Sequence, residues 1–409
     1  MQRYRRLFAM PGVRSTVLLM VLARIPSAGA GMVLTLHVAV TMGRGYAAAG
    51  TVGAAGTIGI ALGAPLMGRI VDKYGLRPML VLTTVGEAVF WFPSPLMNYT
   101  LLLICSFVGG IVVLPAMAVG RQAMTALVPE EDRRTVLSLD AIGVELTFMI
   151  APALAVLVST QFSTVTALIA MGGATTASGI LLYIVNPAVR AEHELAEQPP
   201  PRRTWLRPRF IAVLIAGVGV VFVLAGHEVA LVAMLRGNDQ LDWTGIVIIA
   251  MCVASAMGGL LYGAISRSVG LVTLLLLLSI LSVPAGVFGS AWWIMAITLA
   301  PANFACAPAI TAVGEQVSKL APAAARGEAM GLQASAFTLG GALGSPLIGF
   351  VVDRAPAAWG FGVAGIGGLV LAALAFGLSR FESARRRNRP PAPLAPRPGD
   401  ALAEPAPSG

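Results

Sequence analysis

The sequence predicts an all-α integral membrane protein, with twelve transmembrane helices arranged as two pseudo-symmetric six-helix bundles. Three observations carry that expectation. Of 409 residues, 57% are hydrophobic and 11% charged, whereas a soluble domain carries about 25% charged residues. The apolar residues come in long runs, and a run of 18 or more with few charges can cross a bilayer as a helix. Landmarks of the first half also return later: Gly68 and Gly75 recur as Gly263 and Gly270, and Pro152 recurs as Pro346.

Taken in order, the spans are expected at 15–40, 46–68, 79–97, 100–124, 137–160 and 163–186 in the first half. In the second half they fall at 210–235, 243–265, 271–290, 292–318, 328–352 and 358–379. The implied division is a short N-terminus (1–14), a bundle (15–186), a linker (187–209), a second bundle (210–379) and a tail (380–409). Arg3, Arg5 and Arg6 before an apolar run ending near Ser27-Ala28-Gly29-Ala30 imitate a secretory signal. The run contains Arg24 and continues apolar through Val40, so an uncleaved first span is expected. The linker carries Pro199-Pro200-Pro201 and no apolar periodicity. The Pro- and Ala-rich tail is expected to be disordered, with Arg385-Arg386-Arg387 at the anionic inner leaflet.

An even number of spans puts both ends on one side. If that side is cytoplasmic, the inside segments hold 23 of the 28 Lys and Arg residues, and the outside loops hold three, Arg44, Arg236 and Arg354. The opposite orientation reverses the ratio, against the enrichment of basic residues in cytoplasmic loops. The net charge of +9 is therefore assigned to those loops and not to nucleic-acid binding. The expected location is the plasma membrane, multi-pass, with both termini cytoplasmic. Cys105, Cys252 and Cys306 lie inside apolar runs, without disulfide or metal-ligand spacing, and read as small buried hydrophobes.

The loop after the second span reads Gly68-Arg69-Ile70-Val71-Asp72-Lys73-Tyr74-Gly75-Leu76-Arg77-Pro78. Its glycines, acid and bases resemble the signature loop between helices 2 and 3 of the major facilitator superfamily of secondary transporters. That resemblance, extending over about residues 14 to 380, implies two six-helix halves that rock about a central cavity. It assigns Gly68, Asp72, Lys73, Gly75 and Arg77 to a cytoplasmic gate. Asp72 is expected to latch that gate against the N-terminus of the eleventh span, which begins near Gly327, with Arg77, Arg133 or Arg134 as further holders.

Small residues four apart mark helix faces that allow close approach. Ala55, Gly59 and Gly63 do so in span 2, Ser255, Gly259 and Gly263 in span 8, and Ala336, Gly340 and Gly344 in span 11. The family resemblance places helices 2, 5, 8 and 11 between the two halves, so these residues, with Pro152 and Pro346, are assigned to that interface. Static packing is the alternative.

Ionisable groups within a span are functional candidates because each is costly there. They are Arg24 and His37 in span 1, Glu87 in span 3, Arg121 in span 4, Glu145 in span 5, His227 and Glu228 in span 7 and Glu315 in span 10. His37 and Glu228 are placed close to the outer surface. Ala118-Val119-Gly120-Arg121-Gln122 is mirrored by Ala312-Val313-Gly314-Glu315-Gln316, so Arg121 and Glu315 hold matched places with opposite charge. Either they pair across the pseudo-twofold axis or each serves the gate of its own half. Arg121 resembles the helix 4 base that assists proton transfer in the family's drug exporters; a clamp on Glu130, Glu131 or Asp132 is the alternative.

Gly143 to Pro152 resembles the glycine-proline motif of the family's antiporters, with Ala151 in place of the glycine before the proline. Glu145, two turns from Pro152, is the first candidate for a proton carrier, and Glu87 the next. Drug antiporters often place an acid in helix 1, where this chain has Arg24. No phosphate-binding Gly-Lys-Ser/Thr loop and no nucleophile–base constellation appears, so no enzyme and no cofactor is expected. Together these readings imply proton-coupled export of a small amphipathic compound by a monomer in the lipid bilayer. Uptake by symport, uncoupled facilitation and a ligand sensor are the competing readings. The cavity is expected to be apolar, with aromatics such as Trp91, Phe92, Phe148 and Phe304.

Overall fold

The computed structural model describes every residue except 1, 11, 190–199, 266–268, 290 and 388–409. Pro199 and the tail beyond 387 therefore lie outside the described residues. Among the described residues, twelve helices are long and apolar enough to cross a membrane. In chain order the first six are Val13–Thr41, Ala48–Tyr74, Leu76–Leu96, Tyr99–Ala126, Glu130–Gln161 and Thr164–Val185. The second six are Pro208–Gly237, Leu241–Ala264, Leu271–Phe288, Trp292–Leu320, Ala323–Val352 and Ala358–Phe381. They are numbered spans 1 to 12.

Local chemistry sets the ends. Span 2 stops at Tyr74 because Gly75 takes φ +86°, a left-handed value that glycine adopts without strain. The chain restarts as span 3 at the next residue, Leu76. Span 4 begins where the Asn98 side chain accepts the Leu101 N–H, and span 6 where Ser163 accepts that of Thr166. Spans 4 and 10 are each broken into two helices, Tyr99–Ile111 with Ala116–Ala126 and Trp292–Phe304 with Cys306–Leu320. The break in span 4 frees the Leu114 N–H ahead of Pro115. The buried carboxylate of Glu87 accepts it at 2.7 Å. Non-helical backbone survives inside a membrane protein only where such a partner satisfies it, so Glu87 has a structural task.

In the first bundle span 1 packs on span 5, span 2 on span 4 and span 3 on span 6. In the second, span 7 packs on spans 11 and 12, and span 8 on span 10. The second bundle's core includes Phe210, Val220, Leu231, Leu275 and Phe361. Leu18, Leu22, Val89, Ile184 and Leu374 are among the large apolar side chains left exposed, as a lipid-facing surface requires. The bundles meet where span 2 packs on span 11 and span 5 on span 8.

The small-residue stripes do not all face that junction. A Cβ at Gly59 or Gly63 would collide with the backbone of Phe107 or Ile111 in span 4. Gly340 and Gly344 likewise abut Val218 and Phe222 in span 7. These four glycines seat helices inside one bundle, because each stripe turns toward the neighbour that comes closest, and that neighbour is in the same half. The span 8 stripe does reach the junction: Gly263 leaves room for the side chains of Ser138 and Tyr4. Gly259 abuts Ala307 of span 10, with Ile142 of span 5 also in contact distance. Pro152 and Pro346 lie inside the helices of spans 5 and 11.

Two segments expected to be unstructured are partly helical. Residues Arg202–Trp205 of the linker form a short helix that buries Trp205 against Phe210. The last helix runs on to Arg387. Ahead of span 1, Gln2–Ala9 forms a separate helix, anchored by the fully buried Leu7.

Candidate functional site: the junction of the two bundles

The first seam joins spans 2 and 11 nearly backbone to backbone. Ser335 Oγ donates to the Ala61 carbonyl at 2.6 Å. One turn further along, a Cβ at Gly331 would collide with the carbonyl of Ala64, and one at Gly68 with the carbonyl of Gly327. The Asp72 carboxylate, 8% exposed, closes this seam. It accepts the N–H of Gly327 at 2.9 Å and that of Glu328 at 2.7 Å, in the first turn of the helix Arg326–Val352. Those donors have no partner within their own helix, and the helix N-terminus carries roughly half a positive charge. The acid thus caps a helix of the other half.

Glu328 reinforces the same place. Arg69 Nε lies 2.9 Å from its carboxylate, and Arg202 of the linker helix is bound to the same oxygen. The other charges of the loop point elsewhere: Lys73 lies over the Tyr74 ring at 4.9 Å and Arg77 over Tyr183 at 5.3 Å.

The second seam joins span 5 to spans 8 and 10. Arg134 holds Glu315 with two bonds, Nε to Oε2 at 3.0 Å and Nη2 to Oε1 at 2.8 Å. Lys319, one turn on, reaches the same carboxylate at 2.8 Å. Thr135 Oγ1 donates to the Gly263 carbonyl at 2.9 Å. Across this seam lies the helix Gln2–Ala9. Arg6 ties it to Glu131 at 2.8 Å in the first half, while the Tyr4 hydroxyl donates to the Leu260 carbonyl at 3.0 Å in the second. Burial pushes the Tyr4 phenol up to about 12, so it stays a donor at any physiological pH.

At the far end of this seam sits Glu145. Ser255 Oγ of span 8 donates to its Oε1 at 2.7 Å, and the Cys306 thiol of span 10 lies at 3.6 Å from the same oxygen. Among the described residues no cationic side chain pairs with Glu145. Glu228 of span 7 is exposed.

Arg121 and Glu315, the matched pair, are not in contact, since each carboxylate or guanidinium has a stronger partner nearby. Arg121 does not reach Glu130, Glu131 or Asp132 either. Its Nε lies 3.3 Å from Asp140 of span 5, and its guanidinium lies over the Phe337 ring at 5.2 Å. Arg24 approaches the same carboxylate at 2.6 Å, with the two side chains 0% and 1% exposed. Gly120 makes room for it, since a Cβ there would collide with the Arg24 guanidinium. Asp140 is the residue that sequence reasoning missed. It stands at the charged start of span 5, and only the two arginines in apolar runs, each lacking a local acid, could have signalled it. His37 is buried, bonded to Thr164 at 3.0 Å.

The expected aromatics divide. Phe148 and Phe304 are exposed. Trp91 is buried and packs with Phe92 against Gly172 of span 6, inside the first bundle.

The described contacts zip the two bundles together from Asp72 to Ala61 on one seam and from Arg134 to Glu145 on the other. Beyond them Gly50, Gly53 and Gly349 have no atom within 4 Å of where a Cβ would stand. Solved structures share this architecture. A bacterial homologue of the iron transporter ferroportin, in an outward-facing state, aligns with TM-score 0.70 at 16% identity, covering 90% of this chain and 98% of that one. The human organic anion transporter MFSD10 (TETRAN) aligns with TM-score 0.65 at 18% identity, covering 88% and 97%. The proton:xylose symporter XylE aligns with TM-score 0.63 at 14% identity, covering 89% and 94%. These likenesses show the fold. A search of curated proteins finds no match. The family model described as Major Facilitator Superfamily matches residues 16–279 and 240–406. With that match over nearly the whole chain, on a fold of two six-helix bundles, the chain belongs to the Major Facilitator Superfamily, a family of membrane transporters and not of enzymes.

Proposed function

We propose that the chain is a secondary active transporter that exports a small amphipathic organic compound in exchange for protons, by alternating access. The observation that carries this reading is the placement of Glu145. Among the described residues it is an acid without a cationic partner, at the end of the second seam, and its hydrogen bond crosses from one bundle to the other. Gaining a proton removes the charge that the Ser255 hydroxyl otherwise meets. Protonation therefore acts on the same contact that separates when the bundles rock. A ligand or proton shifts such an equilibrium only by its differential interaction with the two states, and Glu145 supplies one.

In this reading the zipped end is cytoplasmic, as the charge asymmetry of the loops supports, and the structure is the outward-facing state. The protein sits in the plasma membrane with both termini inside and works as a monomer. Asp72 and Arg134 latch the cytoplasmic gate, with Gly68 and Gly75 shaping the loop that carries the first latch. Arg121 and Arg24 hold Asp140 and keep spans 1, 4 and 5 together. Phe148 and Phe304 offer apolar surface to the substrate. Proton-coupled uptake is the second reading, favoured by Ala151 standing where the antiporter motif has glycine.

The test is transport in proteoliposomes under an imposed pH gradient, with a panel of lipophilic drugs, sugars and amino acids. Export is supported when an inward proton gradient drives a lipophilic compound outward. A gradient that drives compound in its own direction selects uptake, and movement indifferent to the gradient overturns proton coupling.

A further inference from the structure

The helix Gln2–Ala9 and the start of span 1 enclose a cleft of about 920 Å³, lined by Tyr4, Arg5, Phe8, Arg14, Val17 and Leu18. Gly12, at φ +83°, turns the chain between the two walls. One arginine stands on each wall, and both are exposed. Arg6, between them in sequence, is tied to Glu131. Among the described residues no acid pairs with Arg5 or Arg14. Beside the two arginines the wall is apolar, and it runs on through Leu18, 65% exposed, to Leu22, 58% exposed, on the lipid-facing side of span 1.

We infer that this cleft is a binding site for one anionic phospholipid. Its phosphate lies between Arg5 and Arg14, and an acyl chain follows Phe8, Val17 and Leu18 into the bilayer. The charge is complementary to a headgroup that carries net negative charge. The apolar wall is continuous with the exposed Leu18 and Leu22 of span 1, a track that suits an acyl chain and that a free anion has no use for. Basic clusters beside a membrane helix attract anionic lipids, and a short amphipathic helix at the interface adds apolar contact. The site has a consequence for the junction. The same helix carries Tyr4, which is bonded to span 8, and Arg6, which is tied to the loop before span 5. A lipid that holds this helix down holds the second seam closed. Only the choice of leaflet rests on the proposed orientation; the binding itself does not.

The experiment uses the full chain, purified and delipidated in a non-ionic detergent, with dioleoyl phosphatidylglycerol or dioleoyl phosphatidylcholine added. Native mass spectrometry is expected to show one phosphatidylglycerol retained with roughly tenfold preference. Arg5→Gln with Arg14→Gln is expected to bring the preference below about twofold. The Lys double variant and Arg380→Gln, a change at an exposed base on span 12, are expected to keep it. Amide exchange over Gln2–Ala9 is expected to slow with phosphatidylglycerol only. Equal retention of the two lipids, or a Gln double variant that keeps its preference while folded by thermal melt, overturns the site. Inorganic phosphate alone slowing the exchange as much as the lipid does overturns the assignment to a phospholipid.

Discussion

Arg24 and Asp140 meet at 2.6 Å with both side chains sealed from solvent, and Arg121 holds the other carboxylate oxygen at 3.3 Å. One acid therefore answers two buried bases from spans 1 and 4. Removing one partner of a buried ion pair costs about 3–5 kcal/mol, because the survivor stays buried and uncompensated. Asp140→Asn is expected to destabilise the protein by that order, seen as a lowered melting temperature in detergent. Arg121→Gln is expected to cost less, since Arg24 still pairs with Asp140. An unchanged melt for Asp140→Asn removes the pair from the account of stability.

Asp72→Asn is expected to open the cytoplasmic end. A carboxylate at a helix N-terminus contributes about 0.3–2 kcal/mol, and the contact exists only while the bundles are zipped. The inward-facing population is then expected to rise roughly 2- to 30-fold, at about 1.4 kcal/mol per tenfold. Accessibility of single cysteines on the two faces of the cavity measures the shift. Equal access in variant and parent contradicts the latch.

For Glu145→Gln we expect loss of gradient-driven transport with ligand binding and counterflow retained. Glu87→Gln is expected to behave differently. It exchanges a carboxylate for an amide that still accepts the Leu114 N–H, so transport continues with a modest loss of stability. If Glu145→Gln transports at the parental rate under a pH gradient, the proton travels elsewhere.

Gly68→Ala and Gly59→Ala separate the two kinds of small residue. Overpacking costs about 1–3 kcal/mol. At Gly68 the added methyl strikes Gly327 across the junction, so the zipped state alone suffers and accessibility shifts inward. At Gly59 it strikes Phe107 within one bundle, so both states suffer alike and only the melting temperature falls. A melt-only effect at Gly68 reverses this assignment.

Labelling of single cysteines placed at 202 and 203 in intact cells checks the orientation. No reaction with an impermeant reagent is expected from outside, and reaction there inverts the topology.

The spans were legible because the bilayer demands long apolar runs, and hydropathy alone locates them. The end of span 2 was harder to read: it was expected at 68, but the helix runs on to Tyr74 and carries Asp72 on its last turns, because only Gly75 takes a left-handed φ. Partner choice was less legible. A stripe such as Gly59 and Gly63 says that a backbone comes close, but not whose. Asp140 was hidden because an acid near a span end looks like a loop charge until the fold brings Arg24 and Arg121 to it. Tyr4 was hidden because an eight-residue helix ahead of the first span has no hydropathy signature, and its bond to Leu260 joins residues 256 apart in sequence.

The closeness of Gly68 to Gly327 and of Ala64 to Gly331 has a kinetic side. Long side chains lose up to about 1.5–2 kcal/mol of rotamer freedom when fixed, whereas glycine and alanine lose none. A door whose meeting edges are main chain and hydrogen atoms freezes few torsions on shutting and releases few on opening. The two positions then differ little in entropy, and a handful of polar contacts at the rim can set both their balance and the pace of the swing.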